Sequence, residues 1–429
     1  MPDDPVRLGL AGLGTVGVGV IRMVEKNADL LALRAGRRIE ISAVSARSRG
    51  RDRGVDITKY DWEDDPVALA RREDIDIYVE LMGGEDGPAK AAVEAAIAAG
   101  NHVVTANKAL LAIHGQALAE QAEAKAVALR FEAAVAGGIP VVKALTEGLA
   151  GNRISRVMGV MNGTCNYILT RMENTGLGYD AVFAEAAELG YLEADPNLDV
   201  GGIDAGHKLA LLSAIAFGTK VNFSGVDLEG IQQVSVTDIE QASDMGFRIK
   251  LLGVAQVTGR GLEQRMQPCL VPVKSALGQL ENATNMVVID GEDVGRIVLR
   301  GAGAGQGPTA SAVLGDIIDI ARGFRITTFG QPATTLAEIQ PAQASTPAAF
   351  YLRLTLKDAP GILAKVTRAL ADAGVSIDRM RQYSHEEPAA PVLVVTHKTT
   401  RAELDHALSA IKASGVCVRD PVAIRIENV

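Results

Sequence analysis

Apolar residues fill Val6 to Ala11, stop at Gly12, and return at Val20, Ile21 and Val24 with the spacing of one helix face. This pattern predicts a strand, a glycine turn and a helix. Further strand-length apolar runs follow at Ile39 to Val44, Ile75 to Leu81, His102 to Thr105 and Val127 to Phe131, separated by alanine-rich helical stretches such as Ala89 to Ala99. Strands that alternate with helices predict an α/β domain with a parallel sheet over residues 1–137. From Gly138 the spacing becomes mixed. It predicts helices at Thr164 to Met172, Tyr179 to Leu189 and Asp204 to Phe217, then strands around Leu251 to Val257 and Met286 to Leu299. Residues 138–330 therefore read as an α+β domain, with a helix near 308–323 returning to complete the first. Residues 331–349, rich in Ala, Pro, Thr and Gln and without apolar periodicity, read as a linker. Residues 350–429 give a strand at Phe350 to Leu356, a turn, a helix to Ala373, strands near Val375 to Tyr383 and Val392 to Thr396, a helix from Ala402 to Ala413 and a last strand. That order, βαββαβ, is the ferredoxin-like split.

At 429 residues the chain is too long for one core, and 48% hydrophobic with 22% charged residues suits packed globular domains. A net charge of -9 and the lack of basic runs beyond Arg47 to Arg53 argue against nucleic acid as a partner. The longest apolar stretch, Leu209 to Phe217, is far short of the roughly 20 residues of a membrane span. The acidic start MPDDPVRLGL lacks the features of a secretory signal, and Cys165, Cys269 and Cys417 are odd in number and widely spaced. A cytoplasmic protein without membrane association is expected.

The turn after the first strand reads Gly12-Leu13-Gly14-Thr15-Val16-Gly17. In such a turn the first glycine permits the tight bend, the second lets a pyrophosphate approach the backbone, and the third lets strand and helix pack closely. The helix N-terminus adds unsatisfied N–H groups for the phosphates. This is the fingerprint of a Rossmann-type dinucleotide domain. Where a carboxylate for the ribose would stand, after the second strand, the sequence has Ser45, Ala46 and Arg47, with Arg49 and Arg51 nearby. An arginine there suits a 2′-phosphate, so NADP is favoured over NAD, with a solvated basic loop as the plain alternative.

Three stretches carry polar groups in apolar surroundings. Thr105-Ala106-Asn107-Lys108 delivers a lysine at the carboxyl end of a strand, the edge at which open α/β sheets bind ligands. Residues 190–199, from Gly190 through Glu193 to Asp199, form a Pro-interrupted loop dense in carboxylates. Asp204 and Lys208, at i and i+4, share one face of a helix that continues into an apolar run, where a surface ion pair would be out of place. Two rival readings stand beside an oxidoreductase working through these groups. Cys165 with His207 as base would suit a thioester-forming aldehyde dehydrogenase. A sensor that binds dinucleotide and amino acid without turnover would suit the C-terminal module.

Taken in order, the glycine turn with Thr15-Val16, the segment 105–108, Glu132-x-x-Val135-x-Gly137-Gly138-Ile139-Pro140, and Gly190 to Pro196 followed by Asp199, Asp204 and Lys208 resemble the homoserine dehydrogenases across essentially the whole chain. Residues 350–429 resemble the ACT regulatory domain of that family's long form. The resemblance implies NAD(P)H-dependent reduction of L-aspartate 4-semialdehyde to L-homoserine, a step toward threonine, isoleucine and methionine. It implies Lys208 as acid/base oriented by Asp204, Lys108 near substrate and nicotinamide, Glu193 on the substrate ammonium and Asp199 assisting. Either lysine could be the immediate proton donor. It further implies a structural sodium-like cation at Glu132, Val135, Gly137 and Ile139, a second cofactor-contacting loop at Gly303 and Gly305, and L-threonine as an effector received near Asp358 and Gly361. The middle domain is implied to be both catalytic and dimerising, and a homo-oligomer, dimer or tetramer, is expected.

Overall fold

The computed structural model describes residues 4–192, 195–382 and 389–429. Six parallel strands form the first sheet: β1 (Val6–Ala11), β2 (Ile39–Ser45), β3 (Asp61–Trp62), β4 (Ile77–Glu80), β5 (His102–Thr105) and β6 (Leu129–Arg130), in the order β3-β2-β1-β4-β5-β6. This is the dinucleotide-fold order, built because the buried central strands β1, β4 and β5 must be covered on both faces by crossover helices. One of the covering helices comes from far along the chain. Helix Gln306–Ala321 contributes Val313, Leu314 and Ile317 to the core that holds Leu8, Leu10 and Ile41. The strand expected over Val127 to Phe131 narrows to β6, because Glu132–Ala134 turns into a short 3-10 helix under helix Gln306–Ala321.

The second sheet begins with β7 (Ile154–Val160) and β8 (Asp227–Leu228). It continues through β9 (Phe247–Thr258), β10 (Gly261–Pro272), β11 (Thr284–Gly291) and β12 (Gly295–Ala302) to β13 (Ala349–Lys357), β14 (Ile377–Gln382), β15 (Ala389–Thr396) and β16 (Val422–Ile426). The order is β12-β11-β7-β9-β10-β16-β13-β15-β14, with β8 beside β10. The region expected as strand over Met286 to Leu299 is the hairpin β11–β12, turned at residues 292–294. β10 was not legible: it carries Glu263, Gln264, Arg265 and Gln267, all buried, and its polar groups are neutralised by one another rather than by solvent. The expected strand end at Tyr383 lies outside the described residues.

The four strands β13 to β16 with helices Ile362–Asp372 and Arg401–Ala413 make the C-terminal split-βαβ module around Leu352, Leu354, Val366 and Leu404. It is continuous with the rest of the second sheet through the parallel pairing of β10 and β16. A second tie is Asp238, 0% exposed, which accepts Tyr351 Oη at 2.9 Å and Arg353 Nε at 2.8 Å. Residues 331–349 are not a free tether. Lys220 N donates to Ala337 O, and Leu262 N and Ala342 N exchange bonds with Gln340 O and Leu262 O, so the segment is strapped along the body by backbone groups that composition does not reveal. No described helix is long and apolar enough to cross a membrane.

Candidate active site

The glycine turn sits at the carboxyl end of β1, where the sheet opens. A Cβ on Gly12, whose φ is +98°, would lie 2.4 Å from Leu81 O, and one on Gly17 would lie 2.0 Å from Gly12 O. Both positions demand glycine. A Cβ on Gly14 would meet nothing within 4 Å. Helix Thr15–Lys26 begins without a side-chain cap and without an acidic residue in its first turn, so its leading N–H groups face the open space beside Gly14 uncompensated. This cradle fits a pyrophosphate. Arg47 is exposed on the loop after β2, whereas Arg49 stacks over Trp62 with 5.8 Å from guanidinium to ring centroid. Arg53, which sequence reasoning did not single out, donates Nε to Leu13 O at 3.2 Å and also bonds Ser48 O, so it clips the basic loop to the glycine turn.

Lys108 opens helix Lys108–Ala124, capped by Asn107 Oδ1, which accepts Leu110 N at 3.1 Å. Beneath it is a chain of buried polar groups that the sequence did not announce. Glu80, fully buried at the end of β4, accepts Thr105 Oγ1 at 2.6 Å and the N–H groups of Met82 and Gly83, while Thr105 Oγ1 accepts Asn107 N. Burial pushes the Glu80 carboxyl upward in pKa against those bonds. The network fixes the backbone from which Lys108 extends.

Asp204 lies in the first turn of helix Ile203–Phe217, whose residues from Asp204 to Ile215 are all buried. One oxygen, Oδ2, accepts Lys208 Nζ at 2.7 Å; the other, Oδ1, lies 2.9 Å from Lys108 Nζ. The Rossmann sheet and the second domain thus meet at a single carboxylate. Burial alone would raise its pKa, but the charges of Lys208 and Lys108 outweigh burial and hold it well below the usual carboxylate range. Lys208 Nζ also donates to Met161 O at 2.9 Å. Asn162, another residue missed in the sequence, caps the next helix by accepting Cys165 N at 2.8 Å and donates Nδ2 to Asp199 at 2.9 Å and Asp204 at 3.2 Å. Its only signal was its place just before an apolar-periodic run. Glu193 lies outside the described residues.

A cavity of about 500 Å³ is lined by Thr15, Lys108, Asp199, Asp204, Lys208 and Gly303, among others. It therefore joins the glycine turn, both lysines and the acidic loop in one space. Gly303 and Gly305 reach it from the loop before helix Gln306–Ala321, and a Cβ on Gly303 would strike the Asn285 side chain. The chain matches three family profiles: "Homoserine dehydrogenase, NAD binding domain" over residues 12–132, "Homoserine dehydrogenase" over 140–318, and "ACT domain" over 350–415. A homoserine dehydrogenase of Neisseria gonorrhoeae is 43% identical over 433 residues, covering 99% of each chain. The chain belongs to the homoserine dehydrogenase family.

A homoserine dehydrogenase of Pseudomonas aeruginosa is 41% identical over 439 residues, again with 99% of each covered. Among solved structures, one of a homoserine dehydrogenase from Thiobacillus denitrificans superposes with a TM-score of 0.93 at 40% identity, covering 99% of each chain. A hyperthermophilic archaeal homoserine dehydrogenase in complex with NADPH gives 0.64 at 25% identity over 75% of this chain and 99% of that one. The chain is thus an NAD(P)-dependent oxidoreductase with an ACT domain, and a purely sensory role is set aside. The thioester reading also falls. Cys165 is 0% exposed, its Sγ faces Asp199 O at 3.3 Å, and burial, with the charge of Asp199, pushes its pKa well above that of an ordinary thiol.

Of the four positions expected to hold a cation, Gly137 lines the cavity. Glu132, 2% exposed, accepts Val142 N at 3.0 Å and Lys143 N at 2.8 Å, and burial followed by the charge of Asp316 raises its pKa to about 7. No group of three or more His, Cys, Asp or Glu gathers as a metal site among the described residues. At the C-terminal module, Asp358 and Gly361 are exposed at the first strand-to-helix junction, with Gly361 at φ +83° preceding helix Ile362–Asp372.

Proposed function

We propose that the chain interconverts L-aspartate 4-semialdehyde and L-homoserine with NADP(H) in preference to NAD(H), on the route to threonine, isoleucine and methionine. The observation that carries this reading is Asp204 gripping Lys108 and Lys208 at the wall of a cavity that also holds the glycine turn. The bound dinucleotide supplies or accepts a hydride at nicotinamide C4. The chain's own residues handle the charge and the proton. As the aldehyde carbon takes the hydride, its oxygen becomes an alkoxide that needs a cation and a proton. Two of the three Lys208 N–H donors are held by Met161 O and Asp204, which leaves one for the substrate oxygen. On that ground we assign proton donation in the reduction to Lys208, with Lys108 near the substrate and the nicotinamide and Asp204 aligning both lysines. Asp199 and Glu193 take the substrate ammonium. Absorbance at the reduced-nicotinamide band with L-homoserine and NADP or NAD tests this. Homoserine-dependent reduction that vanishes in Lys208→Ala supports it; undiminished turnover in that variant refutes the assignment.

The preference for NADP rests on Arg47, exposed on the loop after β2, and Arg47→Ala should lower kcat/KM for NADP far more than for NAD. A sodium-like ion suits Glu132 with the carbonyls of Val135, Gly137 and Ile139, since one carboxylate plus neutral oxygens matches a weakly bound hard cation. A thermal midpoint that is indifferent to sodium against tetramethylammonium would remove that ion. L-Threonine is the proposed ACT effector, received near Asp358 and Gly361. Deleting the module would strip β16 from β10, so the cleaner test is Asp358→Ala, which should keep turnover and lose the threonine response. A homo-oligomer is supported by β12, an edge strand that exposes Val298, with Val294 exposed in the turn just before it, and size-exclusion chromatography with light scattering reads the state. The reading places the enzyme in the cytoplasm.

A further inference from the structure

Only two residue pairs join the catalytic sheet to the C-terminal module through β10 and β16, Cys269 with Arg425 and Leu270 with Ile426. Beside this seam three arginines meet two glutamates. Arg265 and Arg425 are 1% and 4% exposed, and Glu263 and Glu427 are 4% and 7%. Glu427 serves all three guanidiniums: Arg425 Nε at 2.9 Å, Arg265 Nη2 at 2.8 Å, and Arg156 Nη2 from β7. Glu263 accepts Arg265 Nε at 2.9 Å, and its other oxygen takes Gln256 Nε2 and Thr346 Oγ1. One positive charge is left unbalanced in a buried place, and Lys398 adds a second at the rim. Burial and the neighbouring Arg265 charge pull Arg425 below the usual guanidinium range, whereas at Arg265 burial is outweighed by the charges of Glu427 and Glu263, which raise it.

Two donors in the cluster are stranded. Arg265 Nη1 and Arg156 Nε are buried without a hydrogen-bond partner among the described residues. Native folds rarely leave charged donors so, because each costs on the order of 1–3 kcal/mol or more. Arg156, Arg265, Arg425 and Lys398, with Glu427 already engaged by the three arginines, line a cavity of about 220 Å³ that shares no lining residue with the catalytic one. It is smaller than the roughly 300–1,000 Å³ of sites for drug-sized ligands. A nucleotide does not fit such a space; a few oxygens on one centre do, and planar guanidiniums pair with them bidentately.

We propose that this cavity is a binding site for a small oxyanion, inorganic phosphate or a short carboxylate, held by Arg156, Arg265 and Arg425. The bound anion neutralises the surplus charge and ties the C-terminal module to the catalytic sheet. The full chain is titrated calorimetrically with sodium phosphate and, separately, sodium acetate, against sodium chloride at matched ionic strength. NADPH is saturating throughout, so that the glycine turn does not compete for phosphate. Saturable binding of either oxyanion, with a raised thermal midpoint, is expected; which of the two binds identifies the source. Arg156→Gln, at the partly exposed edge, should weaken that binding about tenfold or more, the loss of one charge-assisted contact. Arg425→Lys, which keeps the charge and loses the fork, should weaken it as well. Binding no stronger than chloride in the intact chain, or unchanged in both folded variants, would overturn the site.

Discussion

Asp204→Asn keeps the size of the side chain and removes its charge. The carboxylate makes two contacts to ammonium groups, at 2.7 Å to Lys208 and 2.9 Å to Lys108. Asparagine offers one acceptor oxygen and, in place of the other, an NH2 that cannot accept from an ammonium, so one contact to a charged group, about 1.5–3 kcal/mol, is lost outright and the alignment of both lysines loses about 2–3 kcal/mol. If that alignment is realised in the transition state, kcat falls by about 30- to 150-fold, at 1.36 kcal/mol per decade. NADPH affinity, set by the glycine turn and the helix behind it, should stay within about twofold. The assay is steady-state reduction of NADP by L-homoserine, with NADPH binding followed separately by its fluorescence and folding by circular dichroism. A variant that folds, binds NADPH and turns over at the parent rate would show that the two lysines need no shared carboxylate. The same reasoning would fail if kcat held and only the KM for homoserine rose, since that pattern marks ground-state binding alone.

Cys165→Ala should retain activity within about twofold and lower the thermal midpoint slightly, as loss of a small buried side chain does; a collapse of kcat with normal folding would restore the nucleophile. Acid should destabilise the fold below neutrality. Burial, joined by the Arg325 charge at His102, lowers both His102 and His207 to about 4 from an unfolded 6.5, and His102 Nδ1 accepts Ala128 N. The unfolded chain therefore binds protons that the folded one refuses between pH 6.5 and 4; stability present above 6.5 is lost as pH falls through that window, by about 1–3 kcal/mol per ring after solvent screening. Thermal midpoints that stay level from pH 7 to 5 would contradict this. Asp238→Asn should cost about 3 kcal/mol or more, because it leaves the Arg353 guanidinium without its buried carboxylate. Thermal scans check it, and a midpoint unchanged from the parent would mean that the tie carries no load.

Much of the fold was legible because it is written in local periodicity. β1, the glycine turn and helix Thr15–Lys26 are contiguous, and so are β5 and Lys108, or Asp204 and Lys208 on one helix face. Three kinds of feature were hidden. β10 carries polar side chains on a buried strand, and its apolar alternation is erased because Arg265 and Glu263 neutralise each other two residues apart. Residues 331–349 look like a linker in composition but are held by backbone bonds, to which every residue type contributes alike. Glu80 and Asn162 act through partners 25 to 42 positions away, a separation at which no spacing rule operates.

The dinucleotide turn, the parallel sheet, the family resemblance and the candidate residues of the site could all be read along the chain, since each signal depends on neighbours within a few residues. That Lys108 and Lys208, a hundred positions apart, share the two oxygens of Asp204, and that a cluster of arginines closes the seam to the C-terminal module, follows from the packing of the whole chain. The physical reason is common to both. A buried charge must find its counter-charge wherever packing brings one, and that choice is made by the folded chain as a whole.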